Sequence, residues 1–170
     1  MTRRALAAAA VVLLAACTVS PPAPGKAIAI AELCDQPDES RVRLDGWLRY
    51  PRGLLSFCRE QNGKAVDCDL SLYADAARPP DFNIMAPPPT APEPVTAKLT
   101  LKIGKSPGRM DDLPERFQGS DVKLHLEGDK TAGEGARVVI DGVLHIVPAA
   151  PEVNVPKQCY VTVDWASAPS

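Results

Sequence analysis

The stretch from Arg41 to Tyr50 alternates without a break. Val42, Leu44, Gly46, Leu48 and Tyr50 fall on one face, and Arg41, Arg43, Asp45, Trp47 and Arg49 fall on the other. A period of two is that of a strand with one face buried and the other in water. The same outline returns later: Arg41-Val42-Arg43-Leu44-Asp45-Gly46 is matched by Arg137-Val138-Val139-Ile140-Asp141-Gly142. Each copy puts a glycine in the middle of the inward row, where missing side-chain bulk lets a strand bend sharply. Two strongly bent strands suit a small barrel closed on itself. The residues after each copy diverge, which argues against a duplicated domain.

Further runs repeat the pattern. Leu54 to Cys58 and Val66 to Tyr73 read as two strands of a hairpin joined through Gln61-Asn62-Gly63-Lys64, because Asn-Gly favours the positive φ angles of a tight turn. Alternation resumes at Val95 to Ile103, with Lys98 and Lys102 toward water, then at Val122 to Leu126, Val138 to Ile146 and Cys159 to Trp165. About seven strands with almost no helical periodicity predict an all-β domain. Ile30 to Leu33 reads as one helical turn and Pro37 to Ser40 as a turn. Residues 78–94, with Pro87-Pro88-Pro89, cannot donate a regular ladder of hydrogen bonds and read as a surface loop or extended spacer. A recognition segment for a proline-binding partner is the sharper alternative.

The chain has five cysteines. If the hairpin loop is Asn62-Gly63-Lys64, Cys58 falls opposite Cys68 and the two can bridge. By elimination Cys34 then joins Cys159, closing a long loop and removing much unfolded-state entropy. Zinc is the competing use of four cysteines, but there is no Cys-x-x-Cys pair and neither histidine is near a cysteine in sequence.

The fifth cysteine belongs to the N-terminus. Arg3 and Arg4 precede an uncharged run from Ala5 to Ala16, the two regions of an export signal. As a helix that run would rise about 18 Å, short of the roughly 30 Å of a hydrocarbon core. It ends in Leu14-Ala15-Ala16-Cys17, which resembles the lipobox of bacterial lipoproteins. The alternative is an ordinary cleavage site beside a chance cysteine. The resemblance implies a signal peptide at 1–16, acyl chains such as palmitate on Cys17, and anchorage to a membrane by more than one chain, which holds far better than one chain does. Thr18 follows the cysteine, and in such lipoproteins a residue other than aspartate there implies sorting to the outer membrane, with the domain facing the periplasm or the cell surface. Residues 17–27, with Pro21, Pro22, Pro24 and Gly25, then read as a lipidated cysteine and flexible tether, and 28–170 as one β-domain. Cleavage leaves 17 of the 19 basic residues against all 21 acidic ones, so no global positive field points to nucleic acid.

Val42 to Arg49, followed by Gly53-Leu54-Leu55-Ser56-Phe57, resembles the opening strands of OB-fold domains; Leu113-Pro114 with Gly119 and the strand Val138 to Leu144 look like their later part. The resemblance implies a small OB-fold-like barrel of about six to seven strands. It departs from that family in having a proline-rich segment where the mid-barrel helix is usual, and too many strands. An immunoglobulin-like β-sandwich is the alternative.

Arg43, Trp47 and Arg49, with Arg41 and Arg52 nearby, form a stacking ring among cations, as on many OB-fold ligand surfaces. The ordinary reading of the same face is that Asp67 and Asp69 pair with those arginines across the sheet. His125 and His145 read as solvated surface residues, and Asp111-Asp112 as an exposed turn without the spaced oxygens of a calcium loop. The expectation is therefore a non-catalytic lipoprotein without cofactor or metal, whose domain binds a protein or other envelope component. The competing class is a hydrolase-type envelope enzyme with a site assembled from separated residues.

Overall fold

A computed structural model describes residues 20–49, 58–61, 64–76, 95–114, 119–153 and 155–170. The export segment, Cys17, Tyr50 to Phe57, the Asn62-Gly63 turn and the proline-rich loop lie outside the described residues.

The domain is all-β. Its strands are β1 (Lys26–Ala27), β2 (Arg41–Arg49), β3 (Cys58–Gln61), β4 (Lys64–Tyr73), β5 (Thr96–Lys102), β6 (Leu124–Leu126), β7 (Lys130–Ala132), β8 (Arg137–Val147) and β9 (Gln158–Ser167). The helical elements among the described residues are short 3-10 turns; the first spans Ile30–Asp35, where one helical turn is expected from sequence.

One mixed sheet runs β1-β2-β8-β9-β5-β4-β3, and β2 also pairs with β4, so the sheet partly closes in a ring. Neighbours in the ring are antiparallel except β5 and β9, which run parallel through Lys98↔Tyr160 to Thr100↔Thr162. The inward rows meet inside: Leu44 and Leu48, Leu70 and Leu72, Leu99 and Leu101, Ile140 and Leu144, Val161 and Val163 are all buried. Ile30 and Leu33 join this cluster from the 3-10 turn, and Met110, Val122, Leu124 and Leu126 join it from the β6–β7 hairpin and its approach.

The two repeated glycines sit where the ring needs close approach. A Cβ on Gly46 would lie 2.6 Å from the carbonyl oxygen of Tyr73, beside the short β2–β4 pairing Trp47↔Tyr73 to Arg49↔Ser71. A Cβ on Gly142 would lie 2.3 Å from the carbonyl oxygen of Thr162, next to a register shift between Asp141 and Gly142. Side-chain bulk at either point would push neighbouring strands apart.

Disulfides join Cys58 to Cys68 and Cys34 to Cys159. The hairpin reaches the expected cysteine register by a different route. Gln61 pairs with Lys64, leaving two residues in the loop instead of three, and a bulge between Arg59 and Glu60 restores Cys58↔Cys68. The second bridge pins the 3-10 turn, through Cys34, to the start of β9.

Three sequence expectations change. The flexible tether to residue 27 ends earlier: β1 pairs in parallel with Val42 and Arg43, and the Gly25 N–H donates to Asp141 Oδ1 at 2.8 Å. The strand expected over Val122 to Leu126 is shorter and leaves the ring to pair with β7, a strand whose sequence, Lys130-Thr131-Ala132, has too little apolar content to be read as one. The strand expected at Leu54 to Cys58 is described only from Cys58, and it continues to Gln61.

Candidate binding groove and charged clusters

Outward residues of β3, β4, β5 and β9 line a shallow groove of about 400 Å³. Arg59, Asp67 and Asp69 come from the hairpin, Lys98, Thr100 and Lys102 from β5, and Tyr160 and Thr162 from β9. Strand register assembles it, with Asp67 opposite Lys102, Asp69 opposite Thr100, and Lys98 opposite Tyr160. Arg59 forms an ion pair with Asp67. Lys98 Nζ lies 2.8 Å from Asp69 Oδ2, and the Thr100 hydroxyl donates to Asp69 Oδ1 at 2.8 Å. Lys102 makes no ion pair among the described residues, so three cations face two carboxylates and the groove carries net positive charge. The Tyr160 ring stacks on His145 with centroids 5.0 Å apart, presenting an aromatic wall beside the lysines.

The face singled out from sequence is built differently. Arg43 holds Asp141 with one edge of its guanidinium, Nε and Nη2 lying 3.0 and 2.7 Å from Oδ2, and the carboxylate is only 3% exposed. That hydrogen bond raises the Arg43 pKa above its ordinary value against the opposing cost of desolvation, with the carboxylate's charge adding to the rise. Arg49 donates to the carbonyl oxygens of Leu48 and Ala76, and Trp47 is half-buried beside them. Arg52 lies outside the described residues.

The expected partnership of Asp67 and Asp69 with the β2 arginines is not found. For most of its length β2 lies beside β8, and it meets β4 only at Trp47 to Arg49. The β2 charges are therefore matched elsewhere: Arg41 with Asp164 at 2.6 Å, Arg43 with Asp141, and Asp45 with Arg137 at 2.9 Å. Asp67 and Asp69 instead pair with Arg59 and Lys98, their neighbours in the groove.

The histidines and Asp111 are not freely solvated either. His125 Nε2 lies 2.7 Å from Asp111 Oδ1, which also accepts from Lys105 Nζ at 2.5 Å, and the His125 and Asp111 side chains are 16% and 22% exposed. The Lys105 hydrogen bond first, and then that of His125, hold the Asp111 carboxyl below its ordinary range, against burial. Of the exposed turn expected there, Asp112 is exposed but Asp111 is packed, because the Asp111 N–H donates to the Lys123 carbonyl and the His125 N–H to the Arg109 carbonyl. His145 Nδ1 meets Glu39 Oε1 at 2.9 Å.

Sequence reading placed Lys98 and Lys102 toward water but could not place them beside Tyr160. That contact depends on the parallel β5–β9 pairing between segments some 60 residues apart in the chain. Compared with models of known protein families and with curated protein sequences, the chain matches none.

Proposed function

We propose that the chain is a non-catalytic lipoprotein of the bacterial envelope, held by lipid on Cys17, whose β-domain binds an anionic envelope component in the groove between Arg59, Lys98, Lys102 and Tyr160. The observation that carries this reading is the excess of cations beside a half-buried aromatic ring on one sheet face. Such a face suits a carboxylate- or phosphate-bearing saccharide or head group, with lysines taking the charge and the ring packing on the ligand body.

Within the same proposal, the domain is a small OB-like barrel. The ring β2-β4-β5-β9-β8 returning to β2, with β5 and β9 parallel, supports it. In OB-folds the face of the second and third strands carries ligands. Those positions are β4 and β5, where the groove lies. Between β5 and β8, where that family usually has its helix, stands the hairpin β6–β7 and not the proline-rich segment as expected from sequence, since residues 78–94 fall between β4 and β5. Two disulfides favour an oxidising compartment, in keeping with export to the envelope.

The test is a crosslinked pull-down from intact envelope with the wild type and with Lys98→Glu/Lys102→Glu. The proposal expects partners recovered by the wild type and lost from the double variant. Equal recovery from both would remove the groove from the binding surface.

A further inference from the structure

We infer that Asp38, Glu39 and His145 form a site for a divalent transition ion of the zinc type. One ligand atom from each residue lies within 4.8 Å of the other two. His145 Nδ1 and Glu39 Oε1 are 2.9 Å apart. Zinc binds imidazole nitrogen and carboxylate oxygen at about 2.0–2.2 Å, which puts two adjacent ligands roughly 3 Å from each other. The pair already stands at that bite, and the Asp38 carboxylate offers a third donor within 4.8 Å of both.

The donors are held by separate restraints. The turn of Asp38 to Ser40 is stitched to β8: the Glu39 N–H donates to the Leu144 carbonyl at 2.9 Å, and the Leu144 N–H to the Ser40 carbonyl at 2.9 Å. The Ile146 N–H donates to Asp38 Oδ1 at 2.8 Å, orienting a carboxylate that keeps lone pairs for a metal. Glu39 sits at φ 60°, a left-handed conformation unusual for glutamate, and from there its side chain reaches His145. The imidazole is fixed by stacking on Tyr160, outside the Glu39 contact itself. Restrained donors lose little freedom on binding.

The donor set selects the ion. Imidazole with two carboxylates suits zinc and its first-row neighbours, whereas calcium and magnesium favour all-oxygen shells. Three protein ligands leave further positions to water, and the Glu39 side chain is 69% exposed, so an ion can enter and leave. The site is thus an exchangeable one.

The test uses full-length protein without an affinity tag, solubilised in detergent and stripped of metal by a chelator, then titrated with Zn²⁺ against a chromophoric competitor. The inference expects one saturable equivalent per chain. His145→Ala, Glu39→Gln and Asp38→Asn should each weaken it by about tenfold or more, since each removes one of three coordinate bonds. Melting of the metal-free Glu39→Gln and Asp38→Asn variants should match the wild type, because those two side chains are exposed, and they keep the test clear of the lost Tyr160 stacking in His145→Ala. Independently of any variant, NMR resonances of the His145 ring should move on adding Zn²⁺ while those of His125 stay. Absence of saturable binding, binding that survives all three substitutions, or movement of His125 alone would overturn it and leave Glu39 and His145 as an ordinary ion pair.

Discussion

Arg43 grips Asp141 through the Nε–Nη2 edge of its guanidinium, and the Gly25 N–H completes the carboxylate's shell. The two partners are unequal, since Asp141 is 3% exposed and Arg43 41%. Losing the arginine strands a buried carboxylate, whereas losing the acid returns an arginine to water. Arg43→Ala should therefore cost about 2–4 kcal/mol and Asp141→Asn about 1–2 kcal/mol, because asparagine still accepts from Gly25. Urea unfolding of both variants reads the order, and the reverse order contradicts it.

Gly142 tests the closure of the ring. Its Cβ would enter the Thr162 carbonyl and the Val161 side chain, so Gly142→Ala should destabilise by about 2–4 kcal/mol. At Gly133 the nearest atom to an added Cβ is 3.6 Å away, and Gly133→Ala should stay within about 0.5 kcal/mol. Thermal melts of the two proteins decide the matter.

The disulfides close loops of very different length, with sequence separations of 125 and 10. Chain-entropy reasoning gives about 5 kcal/mol for Cys34–Cys159 and about 3 kcal/mol for Cys58–Cys68. Replacing each pair by serine and comparing denaturant midpoints should show the larger loss for Cys34 and Cys159.

Asp111 links stability to acidity. Its carboxyl is held below the ordinary aspartate value of about 3.9 by Lys105 and His125. The unfolded chain therefore takes up this proton first on acidification. The stabilisation is full above that ordinary value and is lost as pH falls through the lower folded value. The stability gap between wild type and Asp111→Asn should be largest near neutrality and shrink steadily below about pH 4. A gap that stays constant into acid would contradict the assignment.

Much of the ring-like sheet was legible in the sequence because its inner rows keep period two. β2, β4, β5, β8 and β9 all carry that signature, and Asn-Gly between Cys58 and Cys68 announces their hairpin. What escaped depends on contacts remote in sequence. Asp141 has the spacing of a solvated outer residue, yet Gly25 and Arg43 cover it, and nothing in Pro24-Gly25-Lys26 signals a docked segment. The groove was half visible: alternation turns Lys98 and Lys102 outward, while only the parallel contact with β9 sets Tyr160 beside them. The arginine face of β2 stood out as a cluster in the sequence because one strand carries all of it; its acids come from β8 and β9.

The proposed binding face can be probed inside the cell. A photo-crosslinking amino acid at Thr162, within the groove, is compared with one at Glu127, exposed beyond β6. Binding in the groove predicts a discrete crosslinked product from position 162 that disappears with Lys98→Glu/Lys102→Glu, and none from position 127. The same product from both positions, or one from 162 that survives both charge reversals, would contradict it.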